Sequence, residues 1–178
     1  FLCLPKIFDL RSNITTQALA ESGWAVVINE QEDNFKIQDL ERKVFTPDRN
    51  RLMCEAFLRE AQRDPTGALG KSIIFAVNQT HATNLTKIFN VLQPGIALTI
   101  TSRIPEASSL GKEFRINFNE GYKRTERIAV SVDMLSTGYN CKDLLNIGLM
   151  RPIFSPTEYI QIKGRGTRLF TFKIGHTE

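Results

Sequence analysis

From residue 46 onward the sequence alternates between helical and strand patterns, and this alternation constrains the fold more than any other feature. Short runs of apolar, often β-branched side chains predict four strands, at about 72–77, 96–101, 127–132 and 146–150. Apolar residues at helical spacing predict helices over about 46–64, 80–92 and 109–118, and a last helix from Ser155. Strands that alternate with helices are typical of parallel sheets. The predicted fold class is therefore α/β, with one parallel sheet and helices on both faces.

The chain divides into two parts at about residue 46. Its 178 residues suffice for one domain with a full core, or for one domain with an attached segment. Residues 1–45 are less regular, and the charged run at 30–43 is typical of an exposed connector. We therefore assign residues 1–45 to an irregular N-terminal connector and 46–178 to the folded domain. The chain begins without Met, which suggests a fragment of a larger protein.

Composition excludes several classes of protein. No stretch approaches the 18 or so apolar residues that a membrane span needs, so we expect no membrane partner. Three scattered cysteines without C-x-x-C spacing predict neither a zinc site nor a disulfide framework, and we expect no metal ligands in this chain. A reducing, cytoplasmic location fits this cysteine usage. The net charge of +4 permits a nucleic-acid partner without requiring one.

The sequence Gly70-Lys71-Ser72 looks like the end of a phosphate-binding P-loop. A P-loop needs a glycine where this chain has Pro65, and it must follow a strand and open a helix. Here the motif precedes a β-branched run instead. We therefore interpret residues 67–71 as a turn that leads into a buried strand.

The last helix carries a basic face. On a helix, Gln161, Arg165 and Arg168 fall within about 60° of one another. Like charges one turn apart are mildly unfavourable, so an anion on this side would explain the arrangement. Gly164 and Gly166 each weaken a helix by roughly 1 kcal/mol relative to Ala, which makes sense if the backbone approaches another group closely. A solvated basic face remains the alternative.

The loop after the third predicted strand, 133-DMLSTGYN-140, is rich in short polar side chains. In parallel α/β sheets, ligands bind beyond the carboxyl ends of the strands. The loop is therefore a candidate phosphate or sugar site. A plain turn at residues 136–138 is the alternative interpretation.

Three segments together resemble a known family. VSVDMLSTGYN and YIQIKGRGTR closely resemble motifs V and VI of superfamily 2 helicases and translocases, and SIIFAVNQTHA resembles their motif IV. With MRPIFSPTEY between the last two motifs, the spacing is most similar to the motor of the restriction (R) subunit of type I restriction enzymes. The resemblance covers about residues 70–170. It implies a RecA-like fold, as the second motor domain of a two-domain ATP-driven enzyme.

By this resemblance the chain is part of an ATP-dependent DNA translocase that hydrolyses ATP with Mg²⁺. Arg165 and Arg168 match the two catalytic arginines that reach the γ-phosphate, and Gln161 would orient or couple the site. The resemblance implies that the residues facing the nucleotide are Gly138, Asn140 and Gly164. Many relatives have Asp where this chain has Asn140, which leaves its ribose contact open.

The resemblance also implies a DNA-binding edge. Its members would be Ser136, Thr137, Thr101, Ser102, Arg103 and Asn78, which lie after the strands and would touch the phosphate backbone. His81 could touch the DNA backbone as well, although a surface or capping role is the preferred interpretation. His176 is too near the end of the chain to interpret.

The implied partners are double-stranded DNA, the first RecA-like domain of the same protein, and the modification and specificity subunits of a restriction complex. The Walker loop and the acidic box that holds Mg²⁺ belong to that first domain, and the sequence contains neither, nor a PD-(D/E)xK nuclease motif. We therefore expect this chain by itself to hydrolyse essentially no ATP. Two alternatives stay open: another superfamily 2 helicase, of the type III restriction or excision-repair kind, and a non-catalytic RecA-like binding module.

Overall fold

The structure is a computed structural model, and it describes residues 5–7, 47–132, 135, 139–151 and 156–173. The described elements, in chain order, are α1 (Pro47–Glu60), β1 (Lys71–Ala76), α2 (Gln79–Leu92), β2 (Ala97–Thr99), α3 (Ala107–Arg115), a 3-10 turn (Phe118–Glu120), β3 (Ile128–Ser131), β4 (Leu144–Met150) and α4 (Pro156–Gly166). The connector predicted over residues 1–45 lies outside the described residues, apart from 5–7. Among the residues that the structure describes, no helix has the length and hydropathy that crossing a bilayer requires.

The four strands form one sheet in the order β2-β3-β1-β4, and every pairing is parallel. Ser72 lies opposite Ile128 on one side, and Ile73 lies opposite Ile147 on the other. The parallel sheet predicted from the sequence is thus confirmed. Strand β2 is shorter than expected, although Ile100 beyond its end still donates its N–H to the Val130 carbonyl at 2.8 Å.

The helices cover both faces of the sheet, as predicted. On the first face, Ile74 and Ala76 of β1 pack with Leu85 and Phe89 of α2 and with Cys54 of α1. The alternate residues of β1 point to the second face, because successive side chains of a strand alternate. There they meet α3 and α4 in a second core that includes Ile73, Phe75, Phe114 and Ile162. The chain is an α/β protein with a RecA-like arrangement.

The turn before β1 is not a P-loop. Gly67 adopts a positive φ of 84°, and Asp64 closes the turn by accepting the Thr66 N–H at 2.9 Å. Lys71 begins a strand instead of a helix, as the sequence indicated, but it belongs to the strand and not to the turn. Its side chain is 2% exposed, and its ammonium lies 3.1 Å from the Asp143 carboxylate. Lys71 is therefore part of the core and is not accessible to a phosphate.

Candidate functional site

The carboxyl ends of all four strands lie at one edge of the sheet, because the strands are parallel. We call this the carboxyl edge. Ser102 and Arg103 follow β2 there and are exposed, whereas Thr101 is 2% exposed. Of these three predicted DNA contacts, Ser102 and Arg103 are therefore the ones that a ligand could reach in this conformation.

Asn78 follows β1 at the same edge and caps α2. Its side-chain oxygen accepts the His81 N–H at 2.9 Å, which satisfies one of the free donors at the helix start. His81 Nδ1 in turn accepts the Val77 N–H at 3.3 Å. Both side chains thus have structural roles, and Asn78 can serve a ligand only through groups that the cap does not use.

The segment between β3 and β4, residues 132–143, leads from the carboxyl edge to the opposite edge of the sheet. We call it the crossing loop; Ser136, Thr137 and Gly138, which carry predicted contacts, lie outside the described residues. Its described part lies on the second face between two helices. The Tyr139 hydroxyl donates to the Gly111 carbonyl of α3 at 2.8 Å, and Leu135 and Cys141 are buried in the same core as Ile162 of α4. The end of this loop is therefore held between α3 and α4.

The start and middle of α4 are fixed to the sheet. Arg151, directly after β4, forms an ion pair with Glu158 in the first turn of the helix. Ile162 is 1% exposed in the second core. A Cβ on Gly166 would lie 3.0 Å from Ile147 Cδ1 of β4, so this glycine permits close packing of the helix end. Gly164 differs, since no described atom outside its own stretch of helix lies within 4 Å of the position of its Cβ.

The two predicted arginines meet adjacent residues of the crossing loop. Arg165 Nη1 donates to the Tyr139 carbonyl at 2.6 Å, and Arg168 Nη1 donates to Asn140 Oδ1. Helix α4 ends at Gly166, so Arg168 lies beyond the helix and the shared helical face predicted for it is wrong. The loop brings the two guanidiniums together instead. Gln161 is exposed on α4, one turn before Arg165.

The two arginine side chains bring like charges together at this position. The Tyr139 and Asn140 oxygens are uncharged, and these two hydrogen bonds orient the guanidiniums. Burial, and then the like charge of Arg168, lower the pKa of Arg165. Arginine nevertheless stays protonated at any physiological pH. The arrangement holds two cations close together, which a phosphate group could bridge.

A buried charged cluster lies under the end of the crossing loop. Besides its contact with Asp143, the Lys71 ammonium donates to the Ile116 carbonyl and lies 3.9 Å from the centre of the Tyr122 ring. Burial lowers the pKa of Lys71, while its contacts with Asp143 oppose that change. Cys141 Sγ lies 3.4 Å from the same carboxylate. Sequence reasoning missed this cluster, and its only signal was a lysine at the start of a buried strand.

Within the described part of the chain, no group of three or more His, Cys, Asp or Glu side chains could hold a metal ion. The expectation that any Mg²⁺ is held mainly by another domain stays a prediction.

The sheet and the paired arginines define the class of protein: an α/β domain of RecA-like arrangement with a basic site beside the crossing loop. No protein-family model matches the chain. It is similar to the endonuclease subunit of the type I restriction enzyme EcoKI from Escherichia coli strain K12, with 29% identity over 148 residues. The match covers 79% of this chain and 12% of that subunit, so the chain spans a small part of its relative's length. The similarity relates this chain to a restriction-enzyme subunit.

Proposed function

We propose that this chain supplies the second RecA-like motor domain of an ATP-dependent double-stranded DNA translocase, in the endonuclease subunit of a type I restriction enzyme. The observation that carries the proposal is the pair Arg165 and Arg168, held by neighbouring residues of the crossing loop. The similarity to the EcoKI subunit supports the choice of enzyme class. The resemblance of the sequence to helicase motifs IV, V and VI supports the role of this domain.

In this proposal, Arg165 and Arg168 act on the γ-phosphate of ATP held by the first motor domain. ATP with Mg²⁺ supplies the phosphoryl group whose transfer releases energy for movement. The arginines now donate to neutral oxygens, and phosphate oxygens are stronger acceptors because they carry charge. Phosphate oxygens could therefore replace the Tyr139 and Asn140 oxygens as the acceptors of these two hydrogen bonds. Their charge stabilises the negative charge that develops on the transferred group.

The phosphate cradle has to come from elsewhere, since Lys71 is buried in an ion pair. We infer that it belongs to the first RecA-like domain of the same protein, together with the ligands for Mg²⁺. Asn140 keeps a side-chain oxygen at the place where many relatives have Asp. That oxygen accepts from Arg168, so we assign Asn140 to placing the arginine as well as to facing the nucleotide. The modification and specificity subunits remain the proposed protein partners.

The test replaces Arg165 or Arg168 in the full-length protein that carries this sequence. We expect Arg165→Ala and Arg168→Ala to lower DNA-stimulated ATP turnover by about 10³-fold, the lower range for an arginine finger. ATP affinity should change far less, because the arginines act on charge that develops during transfer. Lys at either position should rescue little, since it lacks the planar fork of Arg.

Lys163→Ala is the matched control, because Lys163 is an exposed cation on the same helix. It should leave turnover nearly unchanged. DNA affinity without ATP should also stay near normal in all these variants. Normal turnover combined with loss of DNA binding in Arg165→Ala and Arg168→Ala would assign these arginines to DNA and reject the proposed role.

A further inference from the structure

The segment after α4 is fastened to a turn distant in sequence. Residues 169–173, which we call the strap, run past Asn119 in the 3-10 turn. Asn119 Nδ2 donates to the Thr171 carbonyl at 2.8 Å, and its Oδ1 accepts the Lys173 N–H at 2.8 Å. One side-chain amide thus pairs with both sides of Phe172, in the way that a neighbouring strand would.

Aromatic contacts strengthen the same attachment. The ring of Phe172 meets Phe118 edge to face with centroids 5.3 Å apart, and Phe170 meets Phe172 in the same way at 4.8 Å. Edge-to-face pairs add about 0.5–1.5 kcal/mol beyond the burial of their surface. Asn119 itself is exposed, so its two hydrogen bonds orient the strap but bury little apolar surface.

The turn that receives the strap is itself fixed. Asn117 caps it by accepting the Glu120 N–H, and Glu120 returns a contact to the Asn117 N–H in a capping box. The Phe118 N–H donates to Asp143 Oδ2 at 2.8 Å, and Asp143 is the buried partner of Lys71. The turn is therefore tied to the core of the sheet.

The 3-10 turn restrains the chain close to both Asn140 and Arg168, whose side chains contact each other. Asp143 follows Asn140 by three residues in the crossing loop, and the strap begins directly after Arg168. An extended chain advances at most about 3.6 Å per residue, so anchors this close leave little freedom to the residues beside them. On the other side of Arg168, Thr167 is 5% exposed. The backbone around Arg168 is thus restrained before and after it.

We propose that Asn119 is a positioning residue for Arg168. By pairing with the strap, it holds the backbone after Arg168 so that the guanidinium meets the end of the crossing loop. This inference rests on the proposed function, since it concerns the arginine that would act on the γ-phosphate. Asn119 touches neither the phosphate nor the reacting atoms in this role.

The expected signature is a loss of turnover with little change in ATP affinity. Asn119→Ala in the full-length protein should lower kcat for DNA-stimulated ATP hydrolysis by about 10- to 100-fold, the range for a catalytic group displaced by up to about 1 Å. The KM for ATP should change by less than about threefold, because Arg168 acts mainly on developing charge. Asn84→Ala on α2, which packs on the other face of the sheet, is the matched control and should leave kcat unchanged.

A double-mutant cycle separates positioning from general destabilisation. If Asn119 acts through Arg168, Asn119→Ala should cause no further loss of kcat in an Arg168→Ala background. An equal loss in both backgrounds would overturn the proposal, because the effect would then bypass the arginine. Unchanged kcat in Asn119→Ala alone would overturn it as well.

Amide hydrogen exchange gives a readout that does not depend on ATP. Asn119→Ala should increase exchange at the Lys173 N–H, which Asn119 Oδ1 accepts, and leave β1 and β3 protected. Unchanged exchange there would contradict the anchor itself. Normal turnover in Arg168→Ala would reject the proposed function and the positioning role together, whereas increased strap exchange would show that the anchor nevertheless exists.

Discussion

His81 lies in the first turn of α2, where burial changes its acid-base chemistry. Burial, and to a smaller extent the charge of Arg49, lower the pKa of His81 to about 4. The neutral ring fits the local geometry, since its Nδ1 accepts the Val77 N–H and would lose that role on protonation. In an unfolded chain the same side chain titrates near its ordinary pKa of about 6.5.

We therefore expect His81 to make stability depend on pH. Between about pH 6.5 and pH 4, His81 is protonated in the unfolded chain but stays neutral in the folded chain. The contribution of His81 to folding stability is therefore complete above pH 6.5 and is lost as the pH falls towards 4. The total loss would be at most about 3 kcal/mol. His81→Asn keeps an acceptor near the Nδ1 position and cannot titrate.

The measurement is the free energy of unfolding in urea, for wild type and His81→Asn, at pH 7 and pH 4.5. Carboxylates titrate in both proteins and cancel in the comparison. Wild type should lose more stability than the variant over this range. Equal losses would show that His81 is not kept neutral by the fold.

The sequence predicted some individual site residues but not the residues that contact them. The pair Arg165 and Arg168 was found from its motif, and the structure does place both side chains at the crossing loop. Their acceptors were not predicted, because Tyr139 and Asn140 come from more than 20 positions earlier in the chain. The burial of Lys71 was not predicted for the same reason: a local pattern cannot show that the Asp143 carboxylate, 72 residues later in the chain, pairs with it.

At the scale of elements, the strands and helices could be predicted because their patterns are local. Hydrophobic periodicity identified all four strands and the helices α1, α2 and α3 to within a few residues. Helix α4 was placed correctly at its start but ends before Arg168. Its last residue, Gly166, packs on Ile147 of β4, a contact that is not visible in the local sequence.

Two glycines in neighbouring elements should respond oppositely to alanine. A Cβ on Gly148 of β4 would clash with Ile74 Cδ1 and lie 3.2 Å from the Phe57 ring, both within the packed first face. Gly148→Ala should therefore reduce stability by about 1–3 kcal/mol through overpacking. Gly164→Ala on α4 meets open space and should raise stability by up to about 1 kcal/mol, since Ala favours helix.

Urea unfolding of the two variants beside wild type tests this pair of expectations. Gly164→Ala carries a second question, because its predicted role is to face the nucleotide. A stabilised variant with normal ATP turnover would remove Gly164 from the nucleotide site. A stabilised variant with reduced turnover would support close approach of the nucleotide to this part of the helix.

At the scale of the whole molecule, one loop connects the two proposed functions. The crossing loop leaves β3 at the carboxyl edge, where Ser102 and Arg103 are exposed, and ends beside Arg165 and Arg168. The sequence analysis assigned Ser102 and Arg103 to DNA and Arg165 and Arg168 to the nucleotide, but it could not show how the loop runs between them. The proposed DNA contacts Ser102 and Arg103 follow β2 at the carboxyl edge, whereas the arginines contact Tyr139 and Asn140 on the second face of the sheet.

This separation predicts how DNA binding responds to substitution. Ser102→Ala and Arg103→Ala in the full-length protein should weaken DNA binding about equally for every sequence, because contacts to the phosphate backbone carry no sequence information. Arg103→Ala should also reduce the slope of log affinity against log salt by about 1, since one phosphate contact is lost. Arg115→Ala is the matched control: it removes the same charge at the end of α3, which returns to the opposite edge of the sheet.

The measurement is DNA affinity without ATP at several salt concentrations, for two unrelated duplex sequences. The control should keep the salt slope of wild type, because net charge alone does not create a phosphate contact. A loss confined to one duplex would mean that Ser102 and Arg103 read bases. An identical change of slope in Arg103→Ala and Arg115→Ala would mean that the carboxyl edge has no special role in binding DNA.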